Sequence, residues 1–173
     1  KIKIEKKINI NLNFDKPYGI SRSTGTGIIK FSKFFSQRRP DLIILLGDRF
    51  EILAACTAAY FHRIPVAHLH GGESTEGLID EGIRHSITKM SHIHFVSTKK
   101  YKKKVIQLGE SPKNVHLVGA IGIESIKKNK YLSKNFLEKK LKIKFSKKNI
   151  LVTFHSVTLE NNTSKTQFEN LLF

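Results

Sequence analysis

The chain has no tryptophan, one cysteine, one methionine and four prolines in 173 residues. A lone Cys56 cannot close an internal disulfide, which excludes a disulfide-stapled scaffold and fits a reducing cytoplasm. Its setting, Leu53-Ala54-Ala55-Cys56-Thr57-Ala58-Ala59, marks it as a small buried hydrophobe rather than a nucleophile. No apolar run approaches the roughly 18–20 residues that cross a bilayer, so no membrane partner is expected. The opening Lys1-Ile2-Lys3-Ile4-Glu5 has neither an initiator Met nor a signal-peptide layout, and Lys1 reads as an interior position of a longer protein. Acidic residues are scarce, 14 against 31 Lys and Arg, for a net charge of +17. That balance points to an anionic partner and brings nucleic acid into view. The placement of the charge argues against it. Lysines concentrate in Lys99-Lys100-Tyr101-Lys102-Lys103-Lys104 and between Lys127 and Lys148, both of which look like helical exteriors. Zinc-ligand spacing, an aromatic RNA-binding motif and a glycine-rich clamp are all missing. A solvated lysine-rich surface is the simpler reading, and it is compatible with attraction for a phosphorylated small molecule. Length and a hydrophobic content of 39% fit one globular domain, or one domain plus part of another.

The rhythm along the chain is that of an α/β protein. Ile2, Ile4, Ile8, Ile10 and Leu12 alternate with polar residues over a strand-like stretch. Pro17, Gly19, Gly25 and Gly27 then mark a loop, and Ile28 to Phe35 reads as the end of a helix. Leu42–Leu46 is an unbroken apolar run, as expected for a parallel strand. Helices are expected over Phe50–His62, Ile79–Met90 and Thr98–Leu108, and strands over Val66–Leu69, His94–Val96 and Val115–Val118. This alternation predicts a Rossmann-like, doubly wound parallel sheet. A long lysine-rich helix is expected from about Ile123 to Phe145. A buried strand over Asn149–Phe154 and a helix from Lys165 then read as the opening of a second α/β domain.

Between Gly47 and Arg84 the chain packs Asp48, Glu51, His68, His70, Glu73, Glu76, Asp80, Glu81 and Arg84 into a segment that otherwise reads as core. Charges are costly to bury unless paired or used, so acids and imidazoles at strand ends suggest acid/base chemistry. In open parallel sheets, ligands bind beyond the carboxyl ends of the strands. One run delivers Gly47-Asp48-Arg49 to that edge, and another delivers His70-Gly71-Gly72-Glu73, whose glycines let backbone amides approach a ligand. Asp80 and Arg84, four apart, sit side by side near a helix start. Asp48, His70, Glu73 and Asp80 can therefore converge. Neighbouring carboxylates have their pKa values pushed apart, as a general acid/base pair requires. Asp48 capping the helix at Phe50 and an ordinary Asp80–Arg84 ion pair remain alternatives. His68 reads as a core histidine, while His70, expected to point the other way, is the better site candidate. His68-x-His70 lacks a third ligand, so no metal is expected. His62, His85, His92, His94 and His116 read as structural or exposed, and His155, after the last apolar run, is a candidate for the far wall of an interdomain site.

The segments Leu46-Gly47-Asp48-Arg49-Phe50-Glu51, His68-Leu69-His70-Gly71-Gly72-Glu73, the run from Ile79 to Ser91, and Thr153-Phe154-His155 before Thr158-Leu159 resemble the hydrolysing UDP-N-acetylglucosamine 2-epimerases of bacterial sialic and legionaminic acid synthesis. The resemblance implies a two-domain glycosyltransferase-B fold with the active site between the halves. On that reading, residues 1–122 are a Rossmann-like domain lacking its first strand, 123–148 a helical connector, and 149–173 the start of a UDP-binding domain. By position, Asp48, Asp80 and His155 match acid/base or catalytic positions, and Glu73 or Glu76 supplies a further carboxylate. Arg49, His70, Gly71, Gly72 and Arg84 fall on substrate-binding positions. Many relatives have a glutamate at His70, and a proline commonly follows the histidine where Ser156 stands. The implied reaction removes the C2 proton of a UDP-sugar as UDP leaves C1, then adds water. It needs no metal or cofactor, and the full-length enzyme is expected in the cytoplasm as a homo-oligomer. The chain alone, with an incomplete UDP pocket, is expected to be inactive. A non-hydrolysing epimerase is the alternative enzyme, and a basic nucleic-acid-binding or scaffold domain the alternative of another class.

Overall fold

The computed structural model describes residues 3–11, 16–75, 78–155 and 163–172. Glu76, Ser156, Thr158 and Leu159 lie outside them. The chain falls into two compact units, Lys1–Ala120 and Ile121–Phe173.

The first unit is built on four strands, β1 (Ile43–Leu46), β2 (Val66–Leu69), β3 (Ile93–Val96) and β4 (Val115–Leu117), in the order β1-β2-β3-β4. Every neighbouring pair is parallel, with Leu45 beside His68, His68 beside His94 and His94 beside Val115. Helices α1 (Pro17–Gln37), α2 (Phe50–Phe61), α3 (Asp80–Met90) and α4 (Lys99–Gln107) precede and connect the strands. Because the order is consecutive and such crossovers are right-handed, each connection returns on the same face. Burial agrees. Leu45, Val66, Val96 and Val115 share that face and are buried against Ala55, Ala59 and Ile87 or against Val105. The opposite face carries Ile44 and Leu46, both more than half exposed. The α/β parallel sheet expected from the strand–helix alternation is therefore present.

Two expectations for this unit fail, each for a physical reason. Pro17, Gly19, Gly25 and Gly27 do not form a loop but lie inside α1. Pro17 occupies the first turn, where a missing amide costs nothing. Gly27 is buried where a Cβ would stand 2.9 Å from the Ala54 Cβ of α2, so the glycine permits close helix packing. The alternation near the start forms no strand over residues 3–11. This segment is tied to α1 instead, through the Lys30 ammonium on the Asn9 carbonyl at 2.6 Å, and finds no strand to pair with. A lone apolar alternation has no ladder to join.

In the second unit the single long helix is replaced by α5 (Ile121–Lys128) and α6 (Lys134–Leu141), followed by α7 (Ser164–Leu172). The Ser133 hydroxyl accepts the Phe136 amide and starts α6 afresh, which interrupts the lysine-rich run. The strand expected over Asn149–Phe154 is not formed, and Ile150 and Leu151 are almost fully exposed.

Candidate functional site

Three adjacent strands deliver side chains to one edge. After β1, Gly47 takes a left-handed φ of 86° and donates its amide to the Leu69 carbonyl, and Asp48 follows. After β2, His70 takes φ 66° and donates its amide to the Phe95 carbonyl. After β3 comes Ser97. The first turns of α3 bring Asp80, Glu81 and Arg84 to the same place.

Arg84 is the organiser. Only 5% of it is exposed, and its guanidinium donates to the Glu73 carbonyl at 2.6 Å, to the Thr75 hydroxyl at 3.2 Å and to the Asp48 carboxylate. Asp48 is thus spent on Arg84 and does not cap α2, whose N-cap is Arg49 without a side-chain cap bond. Nor does Arg84 pair with Asp80, the partner that helical spacing suggested. Asp80 lies near enough to feel both charges. Its carboxyl is held above the ordinary range by burial first and the Asp48 carboxylate second, with Arg84 opposing. One carboxylate is therefore locked in an ion pair while its neighbour holds a proton more tightly, the asymmetry an acid/base site uses.

The two histidines of the β2 motif part company. Residues two apart on a strand share a face, but His70 lies past the strand end in the left-handed region, so its ring turns away from the core. His68 is buried. Its Nε2–H donates to the Gly47 carbonyl at 2.8 Å, its Nδ1 accepts from the Thr88 hydroxyl at 3.1 Å, and burial drives its pKa down to about 4. It is a neutral structural group that braces the Gly47 turn. His70 Nδ1 lies 2.8 Å from Glu73 Oε1, and about a quarter of its side chain is exposed.

Gly71 and Gly72 have a packing reason to be glycine. A Cβ on Gly72 would stand 2.7 Å from the Tyr101 carbonyl oxygen, and one on Gly71 would stand 3.0 Å from the Thr88 hydroxyl. Arg49 turns its guanidinium onto Glu51, at 2.9 and 3.1 Å. The five residues Asp48, His70, Glu73, Asp80 and Arg84 are brought together. His155 belongs to the second unit, where it ends an exposed stretch outside any strand.

Sequence reasoning counted Glu81 among the gathered acids but gave no role to the groups that hold this loop in shape. Glu81 accepts the Thr75 amide at 2.8 Å and the Lys104 ammonium at 2.9 Å, and Lys104 also reaches the Ser74 hydroxyl. These contacts lower the Glu81 carboxyl to about 2, with Lys104 the chief cause. Lys104 is thus a tether rather than part of a solvated lysine face. Ser97, which donates to Glu73 Oε1 at 2.8 Å, was also missed. The signal available for it was its place one residue beyond β3, the edge that also presents Asp48 and His70. Among the described residues no group of three or more His, Cys, Asp or Glu side chains is arranged to hold a metal.

Comparison with known proteins gives the family. The sequence profile of the UDP-N-acetylglucosamine 2-epimerase family matches residues 1–173. The chain is 42% identical over 170 residues to a hydrolysing GDP/UDP-N,N'-diacetylbacillosamine 2-epimerase of Campylobacter jejuni, covering 98% of this chain and 44% of that protein. It is 41% identical to a polysialic acid biosynthesis protein of Escherichia coli, with 98% and 43% covered. The chain therefore spans less than half the length of these curated relatives. Among solved structures, a UDP-GlcNAc 2-epimerase from Neisseria meningitidis bound to UDP-GlcNAc superposes with a TM-score of 0.59 at 22% identity, over 76% of this chain and 37% of that one. Another UDP-N-acetylglucosamine 2-epimerase gives a TM-score of 0.63 at 19% identity, over 69% and 36%. With the family profile matched from end to end and the fold shared with its solved members, the chain belongs to the UDP-N-acetylglucosamine 2-epimerase family.

Proposed function

We propose that the protein carrying this chain is a hydrolysing nucleotide-sugar 2-epimerase, converting UDP-N-acetylglucosamine or a UDP-diacetamido-trideoxy sugar, with water, to UDP and the free 2-epimerised sugar. The observation that carries this reading is the Arg84-centred cluster. It gathers the ion-paired Asp48, Asp80 with its carboxyl pKa raised, and the His70–Glu73 pair at the carboxyl edge of one sheet. The hydrolysing relatives at 37–42% identity support the choice of reaction.

In the first half-reaction a base takes the C2 proton, the C1–O bond to UDP breaks, and a C1–C2 double bond forms. In the second, water adds hydroxide at C1 and a proton at C2 on the opposite face, which inverts C2. Asp48, Asp80 and the His70–Glu73 pair are the proton-transfer groups of this cluster, and His155 is proposed as a catalytic residue on the family resemblance alone. Arg49, Gly71, Gly72 and Arg84 shape the substrate side. Expulsion of a diphosphate calls for fixed positive charge and backbone amides rather than a cofactor. A cytoplasmic homo-oligomer supplying sialic- or legionaminic-type sugars is the setting this reading implies.

The test is product analysis by NMR on the full-length protein, with Asp48→Asn and Asp80→Asn alongside. Free epimerised sugar plus UDP is expected, and each variant should lose about 10²–10⁴-fold in turnover. Intact epimerised UDP-sugar would make the enzyme non-hydrolysing. Full turnover by both variants would remove these carboxylates from the mechanism.

A further inference from the structure

We propose that Ser97 and Glu73 are positioning residues that hold His70 in a single tautomer, Nδ1 protonated, so that Nε2 is the atom that exchanges a proton with substrate. This rests on the reaction proposed above and divides the labour within its His70–Glu73 pair.

Four observations converge. Glu73 Oε1 is met by two groups at 2.8 Å, the Ser97 hydroxyl and His70 Nδ1. An ionised carboxylate only accepts, so the ring nitrogen facing it carries the hydrogen. In a neutral imidazole the other nitrogen, Nε2, then holds the lone pair. Second, the frame is anchored on both sides. The Arg84 guanidinium grips the Glu73 carbonyl at 2.6 Å, and the His70 amide bonds the Phe95 carbonyl at 2.9 Å. Third, His70 stands at φ 66°, a backbone position that non-glycine residues seldom adopt and that persists where the surroundings enforce it. Gly72, hard against Tyr101 and Val105, leaves the turn no room to relax. Fourth, Glu73 and His70 keep 29% and 24% of their side chains accessible, so the pair lies open at the rim while its bracing is inside. The neighbouring His68 provides the contrast. Its Nε2 faces the Gly47 carbonyl and must be the protonated nitrogen, so the same motif holds two imidazoles in opposite tautomers. An imidazole whose far nitrogen is fixed by an oriented carboxylate is a ready proton-transfer group, and the wrong tautomer at such a site is costly.

Two measurements test this on the full-length protein. Nitrogen-15 NMR of histidine-labelled protein reads the tautomer, with the His70 signals assigned by their loss in His70→Asn. A protonated Nδ1 and an unprotonated Nε2 are expected, with Glu73→Gln and Ser97→Ala each shifting the population towards the other tautomer. An Nε2-protonated His70 in the unaltered protein, or a Ser97→Ala spectrum that matches it, overturns the proposal. In initial-rate measurements Ser97→Ala should lower kcat about tenfold with KM within about twofold, and Ser97→Thr, which keeps the hydroxyl, should restore it. An unchanged kcat in Ser97→Ala also overturns the proposal. A fixed Nδ1-protonated His70 in a protein that releases no UDP would uphold the Ser97–Glu73–His70 arrangement and refute the epimerase reading.

Discussion

Arg84 shows how one side chain can set the geometry of a whole rim. Its guanidinium serves acceptors from three places in the chain, Asp48 after β1 and both Glu73 and Thr75 after β2. Lysine, a point charge without the planar fork, cannot reproduce that span. Arg84→Met leaves Asp48 unpaired and the Glu73 carbonyl without this donor. Because Asp48 keeps 23% of its side chain exposed, the expected loss is about 2–3 kcal/mol, below the range for a fully buried pair. Urea unfolding should show it as a lowered midpoint, with Arg84→Lys recovering only part. That these residues belong together was legible in the sequence, since acids and histidines are seldom gathered at strand ends without use. Their pairing was not. Spacing along α3 nominates Asp80 as the partner because it counts only residues on the same helix, whereas Asp48 arrives from a strand 36 residues away.

At the scale of elements, β1 to β4 and α2 to α4 were readable because apolar runs of strand length alternate with longer stretches of helical period. The first half of helix α1 was misread, while Ile28 to Phe35 was read as helix. Pro and Gly are turn residues on average, but Pro17 sits where a helix tolerates it and Gly27 is required by a neighbour that lies beyond local sequence. This separates two glycines of one helix. A Cβ at Gly25 meets nothing within 4 Å, so Gly25→Ala should stabilise the protein by up to about 1 kcal/mol through helix propensity. Gly27→Ala gains the same propensity but forces α1 from α2, and the overpacking should make it net destabilising by about 1–2 kcal/mol. Thermal melts of the two variants check the opposite signs. Equal stabilisation would show that the α1–α2 contact yields without cost.

For the molecule as a whole, acid is the revealing perturbation. His68 is buried and neutral, with its pKa depressed from the ordinary 6.5 to about 4. His94, buried beside it in the sheet register, is lowered as well, chiefly by burial and against the pull of Glu110. An unfolded chain takes up these protons as pH falls through 6.5, while folded His68 resists until about 4 and His94 also resists, so stability is full above 6.5 and declines as pH falls below it. Between about pH 7.5 and about pH 5, His68 alone should cost about 2 kcal/mol of unfolding free energy. Urea titrations at the two pH values measure this. His68→Gln, whose amide can still donate to the Gly47 carbonyl, should flatten the decline. No helix among the described residues is long and apolar enough to cross a membrane.

What the residues determined unaided was the type of layered fold and the short list of groups from which a site is made. Both follow from local rules, the period of apolar residues and the cost of placing charge in a core. The tertiary structure alone decided which of those groups touch. Asp48 rather than Asp80 holds Arg84, Ser97 joins Glu73, and His68 meets the Gly47 carbonyl through Nε2 while His70 meets Glu73 through Nδ1. Hydrogen bonds are short and directional, and the parallel register of three strands sets positions that no spacing along the chain encodes.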